Sequence, residues 1–259
     1  MSNFILIGDG SIARYHRKAI EHVGGRLAYV YDPEYRGLNI WKGVPVAGYN
    51  ELPELVGKLW DLDMEIYVVI ASPSHFHREQ IKFVLENFPA STKIICEKPA
   101  FLPWEIPIDN DRINICLQLQ YAPILSLLKP NLIRVRFVRD DAYFKSWKGD
   151  PKKTGGLFYN LFVHYLNLAQ LFDCDFEGTV ATSGEQYRYV YEGIAPVVNL
   201  QAINMQNCYD LMYEAILAGN GIKPKDLFYL DWILKRNSEI FGYGKNSINK
   251  TIKIGHELL

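Results

Sequence analysis

The sequence predicts an α/β protein that has an N-terminal parallel sheet and a C-terminal α+β domain with a reduced, mainly antiparallel sheet. Two patterns lead to this prediction. In the first 120 residues, short continuously apolar segments alternate with segments of helical periodicity, as in βαβ units whose parallel strands are covered on both faces. Later, residues 132–139 and 185–191 alternate between apolar and polar side chains, which is typical of half-solvated antiparallel strands. We therefore predict domains over residues 1–120 and 121–259.

The individual elements are predicted from apolar periodicity and from glycine and proline positions. In the first domain, strands are predicted over residues 3–7, 27–31, 66–71, 93–96 and 113–117, and helices over 11–23, 51–60 and 77–87. In the second domain, helices are predicted over residues 156–172, 206–218 and 225–241. The tail after Gly242 is polar and weakly patterned.

Composition narrows the class of protein. The formal net charge of −1 argues against a nucleic-acid partner, which usually selects a basic excess. There is no apolar run of about 18 residues and no leader-like N-terminus, so we expect no membrane partner. The four cysteines form no CxxC pair and no His/Cys metal cluster, so we predict buried free thiols, no metal and a cytoplasmic location.

A glycine-rich segment separates the first predicted strand from the first predicted helix. It reads GDGSIA over residues 8–13. Gly8 permits a tight turn and Gly10 a close backbone approach, while Ser11 and Ile12 open the helix whose N-terminus favours phosphate. This context predicts a Rossmann domain that binds a dinucleotide.

Asp32 indicates which dinucleotide is bound. It ends the second predicted strand, 22 residues after Gly10, where a carboxylate accepts hydrogen bonds from the ribose hydroxyls and repels a 2′-phosphate. The cofactor is therefore predicted to be NAD. Ser72, Pro73 and His75 follow the third strand and are expected to line the same cleft, whereas His16 is interpreted as a packing residue and His77 as part of a turn and helix cap.

Three further motifs occur in order along the chain. A strand leads into Cys-Glu-Lys-Pro at residues 96–99, residues 71–77 carry Ser-Pro followed by His77, and Thr154-Gly155-Gly156 precedes Asn160 and His164. Together with the glycine segment, these motifs resemble the glucose–fructose oxidoreductase/inositol dehydrogenase (Gfo/Idh/MocA) family over residues 3 to about 241. The resemblance implies that Glu97 and Lys98 lie beside the nicotinamide and that Lys98, Asn160 and His164 are catalytic and bind substrate.

Within that family, three segments look like those of the nucleotide-sugar 3-dehydrogenases. They are residues 117–120, 146–150 and 213–221. This likeness implies oxidation at C3 of a UDP-N-acetylglucosaminuronate-like sugar during lipopolysaccharide O-antigen biosynthesis, with Trp147 and Lys148 among the substrate-binding residues. Lysines and arginines near this segment, including Arg134, Arg136 and Arg139, are candidates for binding a diphosphate.

The sequence departs from the subfamily pattern at several points. Gln120 stands in the place of an arginine, Asn167 in that of an aspartate, and bulky Phe162 where glycine is common. Only about 30 residues separate Phe172 from Gln206, where the family generally has several more strands. The second domain is therefore expected to be reduced, which leaves the substrate pocket and a possible homo-oligomer open.

The predicted chemistry is hydride transfer from a secondary alcohol to NAD. Asn160 and His164 are spaced i, i+4 and share one helix face. We expect His164 to take the hydroxyl proton, since imidazole titrates near neutral pH, and Lys98 to polarise the reacting oxygen, although these two roles could be exchanged. The alternatives are another oxidoreductase of the family, acting on a keto-sugar, polyol or imine, and a non-catalytic NAD-binding sensor.

Overall fold

The computed structural model describes residues 2–60, 65–242 and 248–258. Its helices are α1 (Ala13–His22), α2 (Leu52–Trp60), α3 (His77–Asn87), α4 (Asp141–Lys145), α5 (Pro151–Thr154), α6 (Leu157–Phe172), α7 (Met205–Leu217) and α8 (Phe228–Phe241). Its strands are β1 (Asn3–Ile7), β2 (Arg26–Tyr31), β3 (Ile40–Trp41), β4 (Val44–Pro45), β5 (Ile66–Ile70), β6 (Lys93–Glu97), β7 (Ile113–Cys116), β8 (Leu132–Val138), β9 (Asp175–Ala181), β10 (Tyr187–Tyr191), β11 (Pro196–Asn199) and β12 (Thr251–Ile254).

The described residues form two compact units. The first lies within residues 1–101, 107–116 and 209–224, and the second within 102–106, 117–208 and 225–259. The predicted domains, 1–120 and 121–259, differ from these units chiefly in the position of α7. Most of α7 packs into the first unit because Tyr209 and Tyr213 bury their rings there against α1. Sequence periodicity shows that a helix has an apolar face but not which sheet that face covers.

The first unit is built on a five-stranded sheet in the order β2-β1-β5-β6-β7, in which all neighbours are parallel. Strands β1 and β5 are buried along their whole length, as expected for a sheet covered on both faces. The predicted parallel sheet is thus confirmed. Because the strands are parallel, the residues that follow β1, β2, β5 and β6 meet at one edge of the sheet.

The second unit is built on a five-stranded sheet in the order β11-β10-β8-β9-β12. Its alternating strand β8 buries Ile133, Val135 and Phe137 and contacts α6 on that face. The sheet is mainly antiparallel, as predicted, but β8 runs parallel to β9 and antiparallel to β10. The expectation that β8 is simply an antiparallel strand is therefore incomplete.

Three strands of this sheet were not predicted, among them β11, which pairs antiparallel with β10. Strand β9 lies in the segment after α6, and β12 lies in the C-terminal tail, where it pairs antiparallel with β9. In β12 only Ile252 and Ile254 are buried, and two apolar residues form too short an alternation to be recognised from the sequence. No strand was predicted in this polar, weakly patterned tail, and the structure corrects that for Thr251–Ile254.

Within the described residues, none of the helices combines the length and the apolar character that crossing a membrane requires.

Candidate active site

The glycine segment after β1 has the backbone of a cofactor-binding turn. Gly8 adopts φ +88°, and a Cβ there would lie 2.7 Å from the backbone nitrogen of Ser72, so the position requires glycine. A Cβ on Gly10 would meet no protein atom within 4 Å, which leaves its backbone accessible to a pyrophosphate. Ser11 and Ile12 then lead into α1, whose N-terminus carries a partial positive charge that favours an anion. This segment fits NAD.

Asp32 follows β2 at the same sheet edge and is held by two backbone amides. Its Oδ2 accepts a hydrogen bond from Asp9 N at 2.8 Å, and its Oδ1 accepts one from Glu34 N at 2.9 Å. A carboxylate has about four acceptor positions, so both oxygens keep capacity for ribose hydroxyls. The fixed carboxylate fits the predicted role of Asp32.

Asp9, between the two glycines, organises the neighbouring loop in a way that the sequence did not indicate. Its buried carboxylate accepts hydrogen bonds from Arg17, Tyr35 and Trp41 at 2.9, 3.1 and 2.8 Å. Burial alone would raise the pKa of Asp9, but the hydrogen bond and charge of Arg17 and the Trp41 indole lower it. Asp9 therefore links Tyr35 and Trp41, which lie between β2 and β4, to the glycine turn.

The residues after β5 form a second part of this edge. The Ser72 hydroxyl donates to Gln80 Oε1 at 2.6 Å, while Pro73 and His75 are half-buried. His77 is buried, and its two ring nitrogens lie 2.8 and 2.7 Å from the carbonyl oxygens of Pro99 and Ser72. His77 thus links the turn after β5 to the turn that carries Lys98.

Glu97 ends β6 within a buried hydrogen-bond network. Its Oε1 lies 3.1 Å from His16 Nε2 and accepts a hydrogen bond from the Tyr209 hydroxyl at 2.5 Å, and His16 Nδ1 lies 2.8 Å from the Tyr213 hydroxyl. Burial alone would raise the pKa of Glu97, but His16, Tyr209 and the charge of Lys98 lower it to about 2. Glu97 is thus a buried, hydrogen-bonded side chain with a lowered pKa, and it directly precedes half-buried Lys98.

The same network shows what His16 does. It is fully buried and both of its ring nitrogens are engaged, so the interpretation of His16 as a packing residue misses its polar role. The sequence gives only a weak signal of this contact. His16 lies three residues after Ala13, and Tyr209 and Tyr213 are spaced four residues apart on α7.

The Cys116 thiol lies near His16 and Glu97. Burial raises the pKa of Cys116 well above the ordinary value, which disfavours the thiolate that a metal would need.

In the second unit, α6 carries Asn160 and His164. The helix begins directly after Gly155 and Gly156, which have φ of +78° and +94°. Asn160 is half-buried and its Nδ2 donates to the Tyr143 hydroxyl at 3.1 Å, whereas His164 is buried, with 9% of its surface exposed. The i, i+4 spacing places the two side chains on one face of α6.

Phe162 and Asn167, the two departures from the subfamily pattern that lie on α6, both contact other residues of this unit. Phe162 is fully buried and packs on Phe158 and Phe176. A Cβ on Gly178 of β9 would lie 3.0 Å from its ring. The Phe162 ring thus fills the core of this unit. Asn167 Nδ2 donates to Gln120 Oε1 at 2.8 Å, so these two departures contact each other.

Trp147 and Lys148 lie on an exposed turn of the second unit. Trp147–Gly149 form a single 3₁₀ turn that the Ser146 hydroxyl caps by accepting from Lys148 N at 3.3 Å. The Lys148 Nζ lies 6.0 Å from the centroid of the Trp147 ring. Both side chains are accessible to a ligand, and their predicted role in substrate binding stays a prediction.

Two family models match successive segments of this chain. Residues 2–106 match the model of an oxidoreductase family, NAD-binding Rossmann fold (GFO_IDH_MocA), and residues 129–189 match the model of its C-terminal alpha/beta domain. These two segments cover more than half of the chain.

Several solved structures share the fold. The WlbA (WbpB) dehydrogenase from Thermus thermophilus, in complex with NAD and UDP-GlcNAcA, has a TM-score of 0.74 at 23% identity over 91% of this chain and 94% of that one. An aldose–aldose oxidoreductase from Caulobacter crescentus with glycerol has a TM-score of 0.58 at 14% identity over 98% and 99%. An inositol dehydrogenase homolog from Azotobacter vinelandii with NAD+ has 0.56 at 11% over 98% and 97%.

Proposed function

Since the chain belongs to the Gfo/Idh/MocA family and is an NAD-dependent oxidoreductase, we propose that it oxidises C3 of a nucleotide sugar resembling UDP-N-acetylglucosaminuronate. The proposal places this reaction in surface-polysaccharide biosynthesis in the cytoplasm, where the four buried free cysteines would stay reduced. The WlbA dehydrogenase, which binds this sugar acid, supports the proposal through its shared fold.

The observation that carries the proposal is the setting of Lys98. Lys98 directly follows β6, at the sheet edge where Gly8, Asp32 and Ser72 also lie. Its neighbour Glu97 is ionised and buried, and a carboxylate at this position favours the ammonium form of Lys98. An ammonium can donate a hydrogen bond to the reacting oxygen and stabilise its developing negative charge.

This setting favours one of the two ways to assign the proton-accepting and oxygen-polarising roles to Lys98 and His164. An ammonium has no free electron pair with which to take a proton, so we assign that step to the His164 imidazole, whose ordinary pKa lies near neutral pH. NAD, when bound, accepts the hydride at its nicotinamide ring. The hydroxyl proton then passes to His164, and Asn160 orients a sugar hydroxyl from the same helix face.

A second candidate function is oxidation of a smaller polyol or aldose. The neutral Gln120–Asn167 pair favours it, because the subfamily pattern has a cation at the position of Gln120. The relatives that carry glycerol or are named for inositol share the fold at lower TM-scores.

The test is NADH formation with UDP-N-acetylglucosaminuronate, UDP-N-acetylglucosamine, myo-inositol and glucose as substrates. We expect turnover with the sugar acid, and a loss of about 10²–10⁴-fold in kcat for Lys98→Ala and for His164→Ala. Lys93→Ala, at the other end of β6, and His22→Ala, on the surface of α1, serve as matched controls and should keep turnover. Turnover with polyols alone would favour the second function, and unchanged turnover in both site variants would refute the assigned residues.

A further inference from the structure

Two arginine side chains of the second unit contact the same phenylalanine ring. Arg139 directly follows β8, and Arg188 lies on β10 opposite Val135. Their guanidinium carbons lie 4.6 and 4.8 Å from the centroid of the Phe137 ring. Val135 and Phe137 are on the buried face of β8, so both guanidiniums lie toward the face of the sheet that α6 covers.

Neither of these cations is paired with a carboxylate in the part of the chain that the structure describes. Among the described residues, no carboxylate lies within 4.0 Å of either guanidinium, whereas Arg134, on the opposite face of β8, pairs with Glu177 at 3.2 Å. The hydrogen bonds that Arg139 donates within the described residues go to neutral acceptors, the Val138 carbonyl at 2.9 Å and Gln186 Oε1 at 3.0 Å. The Arg188 Nε is buried and has no hydrogen-bond partner in the described part of the chain.

Placing two such charges together is unfavourable without a ligand. Burial lowers the pKa of Arg139, and the nearby charge of Arg188 acts in the same direction. Contact with an aromatic ring attracts each cation, but it adds no negative charge to offset their repulsion. A buried or half-buried charge is normally retained with a partner of opposite sign.

The two arginines are connected to the side chains of α6. The Arg139 guanidinium carbon lies 5.2 Å from the centroid of the Tyr143 ring, and the Tyr143 hydroxyl accepts the hydrogen bond from Asn160. The charge of Arg188 also acts on Tyr165, the residue after His164, and opposes the burial that raises the pKa of Tyr165. Arg139, Arg188, Tyr143 and Asn160 are all half-buried, so a ligand can reach them.

We propose that Arg139 and Arg188 bind an oxyanion of the substrate, a carboxylate or a phosphate, and hold it beside the Tyr143–Asn160 pair. Two guanidinium forks present several N–H donors in a plane, which matches both groups. The proposal deepens the function proposed above and depends on it only for the identity of the ligand. Of the three arginines that the sequence offered for binding a diphosphate, the proposal uses only Arg139. Arg134 and Arg136 lie on the other face of β8.

The experiment measures ligand binding by calorimetry, with the full chain saturated with NAD. The probes are UDP-N-acetylglucosaminuronate, UDP-N-acetylglucosamine, UDP and 2-oxoglutarate. The proteins are wild type, Arg139→Gln, Arg188→Gln and the control Arg236→Gln, which changes an exposed arginine of α8. We expect each of the first two substitutions to weaken an oxyanion probe by about 10- to 100-fold, the loss of a charged hydrogen bond. The control should bind as wild type does.

The probes distinguish the two sources of the oxyanion. Weakened binding of UDP-N-acetylglucosaminuronate and 2-oxoglutarate, with UDP unchanged, identifies a carboxylate, and weakened binding of UDP identifies a phosphate. Either result supports the site. Should both variants bind every probe within twofold of wild type, or wild type bind none of them, the site is refuted. If the variants do not fold, added sodium sulfate must compete with the tightest probe on wild type, and an absence of competition refutes the site.

Turnover separates this site from the proposed function. Loss of oxyanion binding in the variants, with no NADH formed by wild type from any substrate, would refute the proposed function and leave the site standing. NADH formed from UDP-N-acetylglucosaminuronate at the same rate in wild type and in both variants would refute the site and leave the oxidoreductase assignment standing.

Discussion

At the scale of single residues, Gln120 and Asn167 show how two departures from a pattern can compensate. Asn167 is buried, Gln120 is half-buried, and their side chains are hydrogen-bonded at 2.8 Å. An arginine and an aspartate at these positions would form an ion pair in the same place. Replacing both charges by amides keeps the hydrogen bond and removes the cost of burying the ions, so neither residue is a defect on its own.

This explanation predicts a strong coupling between the two positions. Gln120→Arg alone and Asn167→Asp alone should each destabilise the protein, because each leaves a charge without a partner. The double variant should recover on the order of 2 kcal/mol of the summed loss, measured by urea denaturation in a double-mutant cycle. A cycle that pairs Gln120→Arg with aspartate at exposed Asn199 should be additive, and additivity in the first cycle would contradict the explanation.

Glu97 gives a second prediction at this scale. Its pKa of about 2 lies below the ordinary 4.5, so its stabilising contribution is present above pH 4.5 and is lost as the pH falls toward 2. At neutral pH, Glu97→Gln should lower the free energy of unfolding by on the order of 3 kcal/mol, because His16 and Tyr209 lose a buried ionic partner.

The measurement is the free energy of unfolding of wild type and Glu97→Gln from pH 7 down to pH 3. The gap between them should narrow toward acid pH. Glu214→Gln, which removes the partner of surface-exposed His22, should cost much less at every pH. A gap that does not change with pH would show that the Glu97 carboxylate is not the group responsible.

At the scale of elements, α6 and α8 meet through a polar contact inside the second unit. The Tyr159 hydroxyl donates to Asp231 Oδ1 at 2.8 Å. Burial raises the pKa of Asp231 to about 6, although this hydrogen bond acts in the opposite direction. The ionised carboxylate is therefore a cost to the α6–α8 contact at neutral pH, while the protonated form is not.

The sign of this shift fixes the expected pH dependence. A raised pKa means that the contribution of Asp231 is fully present below pH 3.8 and is lost as the pH rises through about 6. Asp231→Asn keeps the acceptor for Tyr159 and should stabilise the protein at pH 8 by on the order of 2 kcal/mol, with little effect near pH 4. Asp173→Asn, on the exposed residue after α6, is the control, and thermal unfolding monitored by circular dichroism is the measurement. A stabilisation equal at both pH values would contradict the assignment.

The elements that the sequence predicted are those with a long, regular pattern. Helices α3 and α6 and strands β1, β5 and β8 each bury a face or a whole segment with the expected period. Strand β12 and the β3–β4 pair are too short to carry a period. Strand β9 was missed although its burial alternates, because the expectation of a reduced domain left that segment without an assignment.

At the scale of the whole molecule, the sequence predicted the parts of the site that depend on a local backbone motif. The glycine turn, Asp32 and the Glu97–Lys98 segment are each fixed by a strand end and a few neighbouring residues. The contacts that were missed join residues far apart in the chain, such as Glu97 with Tyr209 and Arg188 with Phe137. Only the packing of helices and strands brings these residues together, and one sequence contains no signal of that packing.

The most direct test of the central claim is hydride transfer from C3 of the sugar. UDP-N-acetylglucosaminuronate carrying deuterium at C3 is mixed with the NAD-saturated protein, and the reduced cofactor is analysed by mass spectrometry. The proposed function predicts that the reduced nicotinamide gains one deuterium and that Lys98→Ala and His164→Ala suppress this transfer. Reduced cofactor without deuterium, or no reduction at all while myo-inositol or glucose reduces NAD, would contradict it.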